Sequence, residues 1–260
     1  VYKCGNGKYK CKSTGRYFDV KTGTPLANTK LPMTKWLLAI FLFQADKGGI
    51  SSCQLARKLE ITQKTAWYML MKIRELVAKS NANNPKLSGE VEIDETFIGG
   101  KNKNRHKDKK VEKCQGRSYK DKVPVFGMLE RGGKVVAKVV PNIHGDTLLS
   151  IVNEHVEKGS VVYTDGAGYP GINIDYEQRD VDHSKHFYGA TYATDEGEII
   201  VVSTNGIENV WSHFKRMIFG TYYCVSKKYM QQYIDEFVFR FNTRNFTDSQ
   251  RFNLLLRNIA

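Results

Sequence analysis

The sequence predicts an α/β protein with a mixed sheet, preceded by a small helical region. Two observations carry this. Residues 90–260 alternate strand-like and helix-like patterns, the mark of layered helices on a sheet. Residues 33–80 instead keep a helical period throughout, and a polar, Pro-containing link at 80–85 divides the two regions.

The elements follow in chain order. Residues 1–32 are basic, rich in Gly and Thr, and hold Cys4 and Cys11; they read as short strands and turns. Residues 34–43 form a nearly all-apolar helix, expected to be buried on most sides, and Gly48-Gly49 ends it. Ser51 or Ser52 can cap a second helix from Cys53 to Leu59. A third spans about Gln63 to Lys79, with Ala66, Met69, Leu70, Ile73, Leu76 and Val77 on one face. Strands are expected at 90–98, 123–130, 134–140, 160–164 and 199–202, and helices at 146–157, 206–218 and 226–242. Between the first two strands, residues 101–122 hold ten Lys or Arg against three acids. A run that long and charged belongs on the surface, as an insertion able to touch phosphates.

Charge narrows the partner. Lys and Arg total 40 against 27 Asp and Glu, a formal charge of +13, which points to a polyanion and most simply to nucleic acid. The 41% of apolar residues argues against wholesale disorder. The five cysteines are odd in number and scattered, which suits a reducing compartment. The longest apolar run, residues 36–43, is far too short to span a membrane, and no signal peptide is visible. A cytoplasmic protein is expected, at the nucleoid if bacterial. The start at Val1 suggests a fragment.

Two candidate sites emerge. The string from Ser52 to Tyr68 has helix-turn-helix character: a short helix with small Ala56 at the crossing, a tight turn, and a helix that opens on polar residues. Gln63, Lys64, Thr65 and Tyr68 are its candidate DNA contacts. The second site is made of carboxylates. Phosphodiester chemistry needs the non-bridging oxygens neutralised and an oxygen nucleophile activated, and two carboxylate-held divalent ions do both. Asp94 lies in a strand and shares one face with Glu92 and Thr96. Asp165 ends an apolar strand before Gly166-Ala167-Gly168, where ligands often gather in open α/β sheets. Glu208 borders the apolar stripe of Ile207, Val210, Trp211, Phe214 and Ile218 on a helix, with Lys215 seven residues on and on the same face.

These blocks together resemble a known family. They are Lys21-Thr22-Gly23-Thr24 with Trp36, the helix-turn-helix, residues 92–100, Thr164-Asp165-Gly166, Asp182-His183-Ser184, residues 204–208, Trp211-Ser212 with Phe214-Lys215-Arg216, and Tyr233 to Phe237 leading to Arg240-Phe241-Asn242 and Arg244. The chain is similar to insertion-sequence transposases of the DDE class, in the ISXO-like group related to the eukaryotic Merlin elements. The resemblance implies a ribonuclease-H-like catalytic domain over 88–260, a helix-turn-helix domain over 33–80 and a degenerate zinc ribbon over 1–32. It further implies transposon-end inverted-repeat DNA and target DNA as partners, a homo-oligomer on DNA, and magnesium (or manganese) as cofactor.

By the same resemblance Asp94, Asp165 and Glu208 match the acidic triad and metal ligands, with Asn205 a competing third member. Lys215 matches the basic residue that follows, Arg216 stands beside it as a DNA contact, and His183 matches a family histidine. Two departures stand out. Thr14 replaces the second cysteine of a Cys-x-x-Cys knuckle, so no structural zinc is expected. Ser203 stands where relatives often have His. Three functions are compatible with the residues: a transposase, a non-catalytic DNA-binding descendant of one, and a nuclease or resolvase of the same fold.

Overall fold

The computed structural model describes residues 1–5, 7–27, 29–100, 102, 106–112, 122–165, 169–180, 190–193 and 199–259. The chain divides into two compact units, residues 1–82 with 245–260, and residues 83–244.

The first unit opens with three two-residue strands, β1 (Tyr2–Lys3), β2 (Tyr9–Lys10) and β3 (Tyr17–Phe18), in an antiparallel sheet of that order. Three helices follow: α1 (Met33–Ala45), α2 (Ser52–Leu59) and α3 (Gln63–Ala82). In α1 the buried residues are Trp36, Ala39, Ile40, Phe43 and Gln44, whereas Leu38 and Phe41 are exposed. The helix is therefore buried along one stripe and not on most sides. Its apolar content exceeds what one helical face can hide.

Ser51 proves to be the cap of α2, its hydroxyl accepting the Gln54 N–H at 3.2 Å. Glu60 ends that helix in the left-handed region at φ 53. Thr62 then accepts the Thr65 N–H at 3.2 Å, satisfying a first-turn donor of α3. The six apolar positions read from the period of α3 are all buried. The helix continues to Ala82, through residues expected to form a link, because nothing before Asn84-Pro85 stops it.

The second unit is built on five strands: β4 (Glu90–Ile98), β5 (Val123–Glu130), β6 (Val135–Val139), β7 (Val161–Thr164) and β8 (Glu177–Asp180). Their order is β6-β5-β4-β7-β8, with β4–β6 antiparallel and β7 and β8 parallel to β4. A separate antiparallel ladder joins β9 (Ala190–Ala193) to β10 (Ile199–Val202). Helix α4 (Gly145–His155) covers one face of the main sheet, sharing a core with Val91, Ile93, Phe126, Met128 and Val162. Helices α5 (Asn205–Met217) and α6 (Met230–Asn242) cover the other, over Val125, Leu129, Val135 and Ala137. A strand covered on both sides has no polar face, which is why β5 is buried from Val123 to Leu129.

The outer strand β6 is not left open. Asn242 of α6 accepts the Val135 N–H at 2.8 Å and donates to the Val135 carbonyl at 2.9 Å. Gln231 accepts the Val139 N–H at 2.7 Å. Two side-chain amides thus stand where a sixth strand would pair.

The α/β expectation with a mixed sheet holds. The boundary of the second domain differs at its far end, where 88–260 was expected. Helix α7 (Asp248–Arg257) belongs to the first unit: Phe252 meets Phe41 edge-on at 6.1 Å, and Asn258 donates to the Leu76 carbonyl at 3.1 Å. Among the described residues, no helix is long and apolar enough to cross a membrane.

Candidate active site

The parallel pairing of β4 and β7 brings two of the expected carboxylates to adjacent strands. Glu90, Val91 and Glu92 stand opposite Val161, Val162 and Tyr163. Continued by two residues, that register sets Asp165, just past β7, beside Asp94. Neighbouring strands lie about 5 Å apart. Side chains alternate along β4, so Glu92, Asp94 and Thr96 share the face covered by α5. Glu92 and Thr96 are both buried there, at 3% and 4% exposure.

Helix α5 is fixed along β4 at two points. The Ile207 N–H donates to Glu92 Oε2 at 2.9 Å, and the Trp211 indole N–H donates to Asp94 Oδ2 at 3.1 Å. Four helical residues advance about 6 Å and two strand residues about 6.6 Å, so helix and strand keep step. Glu208, exposed, lies on α5 between the two anchors. Asn205 starts the helix one turn further back, beyond the Glu92 anchor.

Charge reports the same gathering. Burial pushes the Asp94 carboxyl up to about 7, and the negative charges of Asp165, Glu95 and Glu208 push it in the same direction. On the other face of β4, Glu95 accepts the Tyr169 hydroxyl at 2.6 Å. Burial raises that hydroxyl far above the usual tyrosine range, followed by the charges of Glu95, Asp165 and Asp94.

Trp211 can reach Asp94 only because Gly127 lies opposite Asp94 in the sheet. A Cβ on Gly127 would stand 2.4 Å from the Trp211 ring. Neither Trp211, Gly127 nor Glu92 is singled out by the sequence as part of the site. The signal in hand was the shared face of Glu92 and Asp94; the indole reads simply as part of the apolar stripe.

Residues 86–242, more than half of the chain, match the family model of the ISXO2-like transposase domain. The chain belongs to the ISXO2-like transposases. Among relatives of this transposase, a protein of transposable element ISH50 from Halobacterium salinarum is 28% identical over 169 residues, covering 61% of this chain and 55% of that protein. The chain thus spans about half of that relative's length. A transposase-like protein of Haemophilus influenzae is 34% identical over 111 residues, covering 42% of this chain and 81% of its own. Among solved structures, the Mos1 strand transfer complex aligns at a TM-score of 0.33 and 11% identity, over 90% of this chain and 81% of that one, a likeness too slight to bear on the fold.

The remaining expected residues fall as follows. Lys215 is half-buried on α5, and exposed Arg216 donates to the Ser212 carbonyl at 3.3 Å. Gln63 and Lys64 are exposed at the start of α3, Thr65 is half-buried and Tyr68 is exposed beside Trp36. The Gln63 amide donates to the Ser52 hydroxyl at 2.7 Å, and the Thr65 and Thr62 hydroxyls pair at 2.8 Å. His183, Gly166 and most of 101–122 lie outside the described residues.

Asp94, raised by burial and by the charges of Asp165 and Glu208, offers with them the oxygen donors that a hard divalent cation takes. As they stand, no three His, Cys, Asp or Glu side chains among the described residues are close enough to hold one.

Proposed function

We propose that this ISXO2-like transposase is a metal-dependent DNA enzyme that cleaves transposon ends and joins the freed 3′-hydroxyl to target DNA on a ribonuclease-H-like fold. The observation that carries the reading is the convergence of charge on Asp94 from Asp165 and Glu208, delivered by a parallel neighbour strand and a docked helix. The strand order supports the fold assignment, with three antiparallel strands followed by two parallel ones.

Asp94, Asp165 and Glu208 are the residues that would hold two magnesium or manganese ions. When bound, these supply the charge that activates water or the 3′-hydroxyl and steadies the phosphate oxygens. The Trp211 N–H holds one oxygen of Asp94 and so fixes the orientation of its carboxylate. Lys215, about 10 Å along the helix from Glu208, meets a neighbouring phosphate, with Arg216 beside it. Glu208 is favoured over Asn205 because it lies between the two anchors of α5, and because a neutral amide binds a divalent ion less strongly. Gln63, Lys64, Thr65 and Tyr68 read transposon-end DNA at the start of α3, and the working form is a homo-oligomer assembled on DNA.

The test is incubation of the protein with labelled terminal-repeat DNA and magnesium. Nicked ends and joined products are expected from the wild type, and neither from Asp94→Asn or Glu208→Gln. Binding without any cut would make the chain a DNA-binding descendant of a transposase; cutting without joining would make it a nuclease. Should Asn205→Ala abolish cleavage while Glu208→Gln leaves it near normal, Asn205 is the third ligand.

A further inference from the structure

We propose that Glu92 is a positioning residue: its buried carboxylate caps the start of α5 and so sets the distance from Glu208 to Asp94. The inference rests on the catalytic reading above. Helix α5 has no cap of its own, since the side chain of Thr204, the residue before it, makes no capping hydrogen bond. The third residue of a helix ordinarily donates its N–H to such a side chain. Here that residue is Ile207, and it donates to Glu92 from the neighbouring strand at 2.9 Å. A carboxylate is the better partner for a helix start, where donors and dipole both favour negative charge.

The surroundings are shaped to this contact. A Cβ on Gly206 would stand 2.6 Å from Glu92 Oε2 and 2.9 Å from Leu129, so the helix comes this close only with glycine there. The other Glu92 oxygen accepts from Arg131 Nε at 2.9 Å. The same guanidinium donates to the carbonyls of Val201 and Ser203, both at 2.9 Å, and lies over the Tyr163 ring at 3.8 Å. Arg131 thereby holds the segment that leads into α5, while Glu92 holds the helix itself. With both oxygens engaged by the chain, Glu92 acts through α5 and not on a metal. It stands two residues from Asp94 on the same face, so a shift of the helix start is felt directly in the Glu208–Asp94 spacing.

The experiment measures hydrogen exchange and single-turnover cleavage on the full chain. Glu92→Ala is expected to lose amide protection over about residues 203–210 while peptides from β5 and α6 keep theirs. Cleavage at saturating DNA should fall about 100-fold, the scale of an ångström-sized misplacement, with DNA affinity within about twofold. Glu92→Gln keeps an acceptor for Ile207 and should restore most of both. If Glu92→Ala does not fold, Gly206→Ala should produce the same split between rate and affinity. Normal protection and rate in both variants, or loss of protection spread evenly over the second unit, overturns the proposal. If the wild type cleaves nothing, the catalytic reading fails by itself, and normal protection in Glu92→Ala then removes the cap as well.

Discussion

The two units differ in how they treat carboxylates. In the first, the helices bury mostly apolar side chains and keep most of their cations in water, fully buried Arg74 of α3 being the exception; Gln63 and Lys64 sit exposed at the start of α3. In the second, carboxylates on strand and helix are drawn inward and tied: Glu92 to Arg131 and α5, Glu95 to Tyr169, and fully buried Glu236 of α6 to Arg240 at 2.8 Å and to Tyr222 at 2.7 Å. The exception is Asp94, which accepts from the Trp211 indole and the Glu95 backbone yet faces three other negative charges. A surface that reads DNA needs charge in water, where it costs little. A phosphoryl-transfer site needs charge gathered in a shielded place, where it destabilises the fold until something positive arrives.

The sharpest test of that contrast is Asp94→Asn. Cleavage should fall by a thousandfold or more, on the order of what electrostatic and metal catalysis supplies. The metal-free protein should nevertheless become more stable. Because the folded carboxyl titrates near 7 and the unfolded one near 3.8, the folded state holds the extra proton between those values. Stability of the wild type therefore falls as pH rises from about 4 to 7 and stays low above it. Asp94→Asn should flatten that fall, a difference on the order of 2–4 kcal/mol at pH 8. Urea titrations at pH 4, 6 and 8 without divalent ions check it; a variant less stable than the wild type at pH 8 counts against the buried-charge account.

Next in size is Gly127→Ala. A methyl group at 2.4 Å from a packed indole cannot be absorbed by a flexible side chain. A loss of about 2–3 kcal/mol is expected, with a shift in tryptophan emission as the ring moves. In the first unit, Lys64→Glu should weaken transposon-end binding by more than about 1 kcal/mol and leave thermal stability unchanged, since the residue is solvated. Equal affinity at low and moderate salt would remove α3 from the DNA surface. The smallest effect concerns Gln44, whose buried amide has no partner among the described residues. Gln44→Met should raise stability by about 1 kcal/mol, read as a few degrees in melting temperature.

The sequence by itself determined what depends on near neighbours. The period of residues 63–79 gave the inward face of α3, Ser51 marked the start of α2, Gly48-Gly49 lay just beyond the end of α1 at Ala45, and the three carboxylates stood out by their place at a strand, a strand end and a helix edge. Tertiary structure alone decided who meets whom. The return of α7 to the first unit depends on Phe252 meeting Phe41, more than 200 residues away in the chain, and an amphipathic helix does not specify which core it joins. β8 is missed because Glu177–Asp180 has no apolar pattern; it is an edge held by backbone pairing to β7. Trp211 and Glu92 become parts of the site only when α5 lies along β4, over 100 residues away. Periodicity fixes which face of an element is turned inward, but the partner of that face is set by long-range packing, and there the orientation of Asp94 was decided.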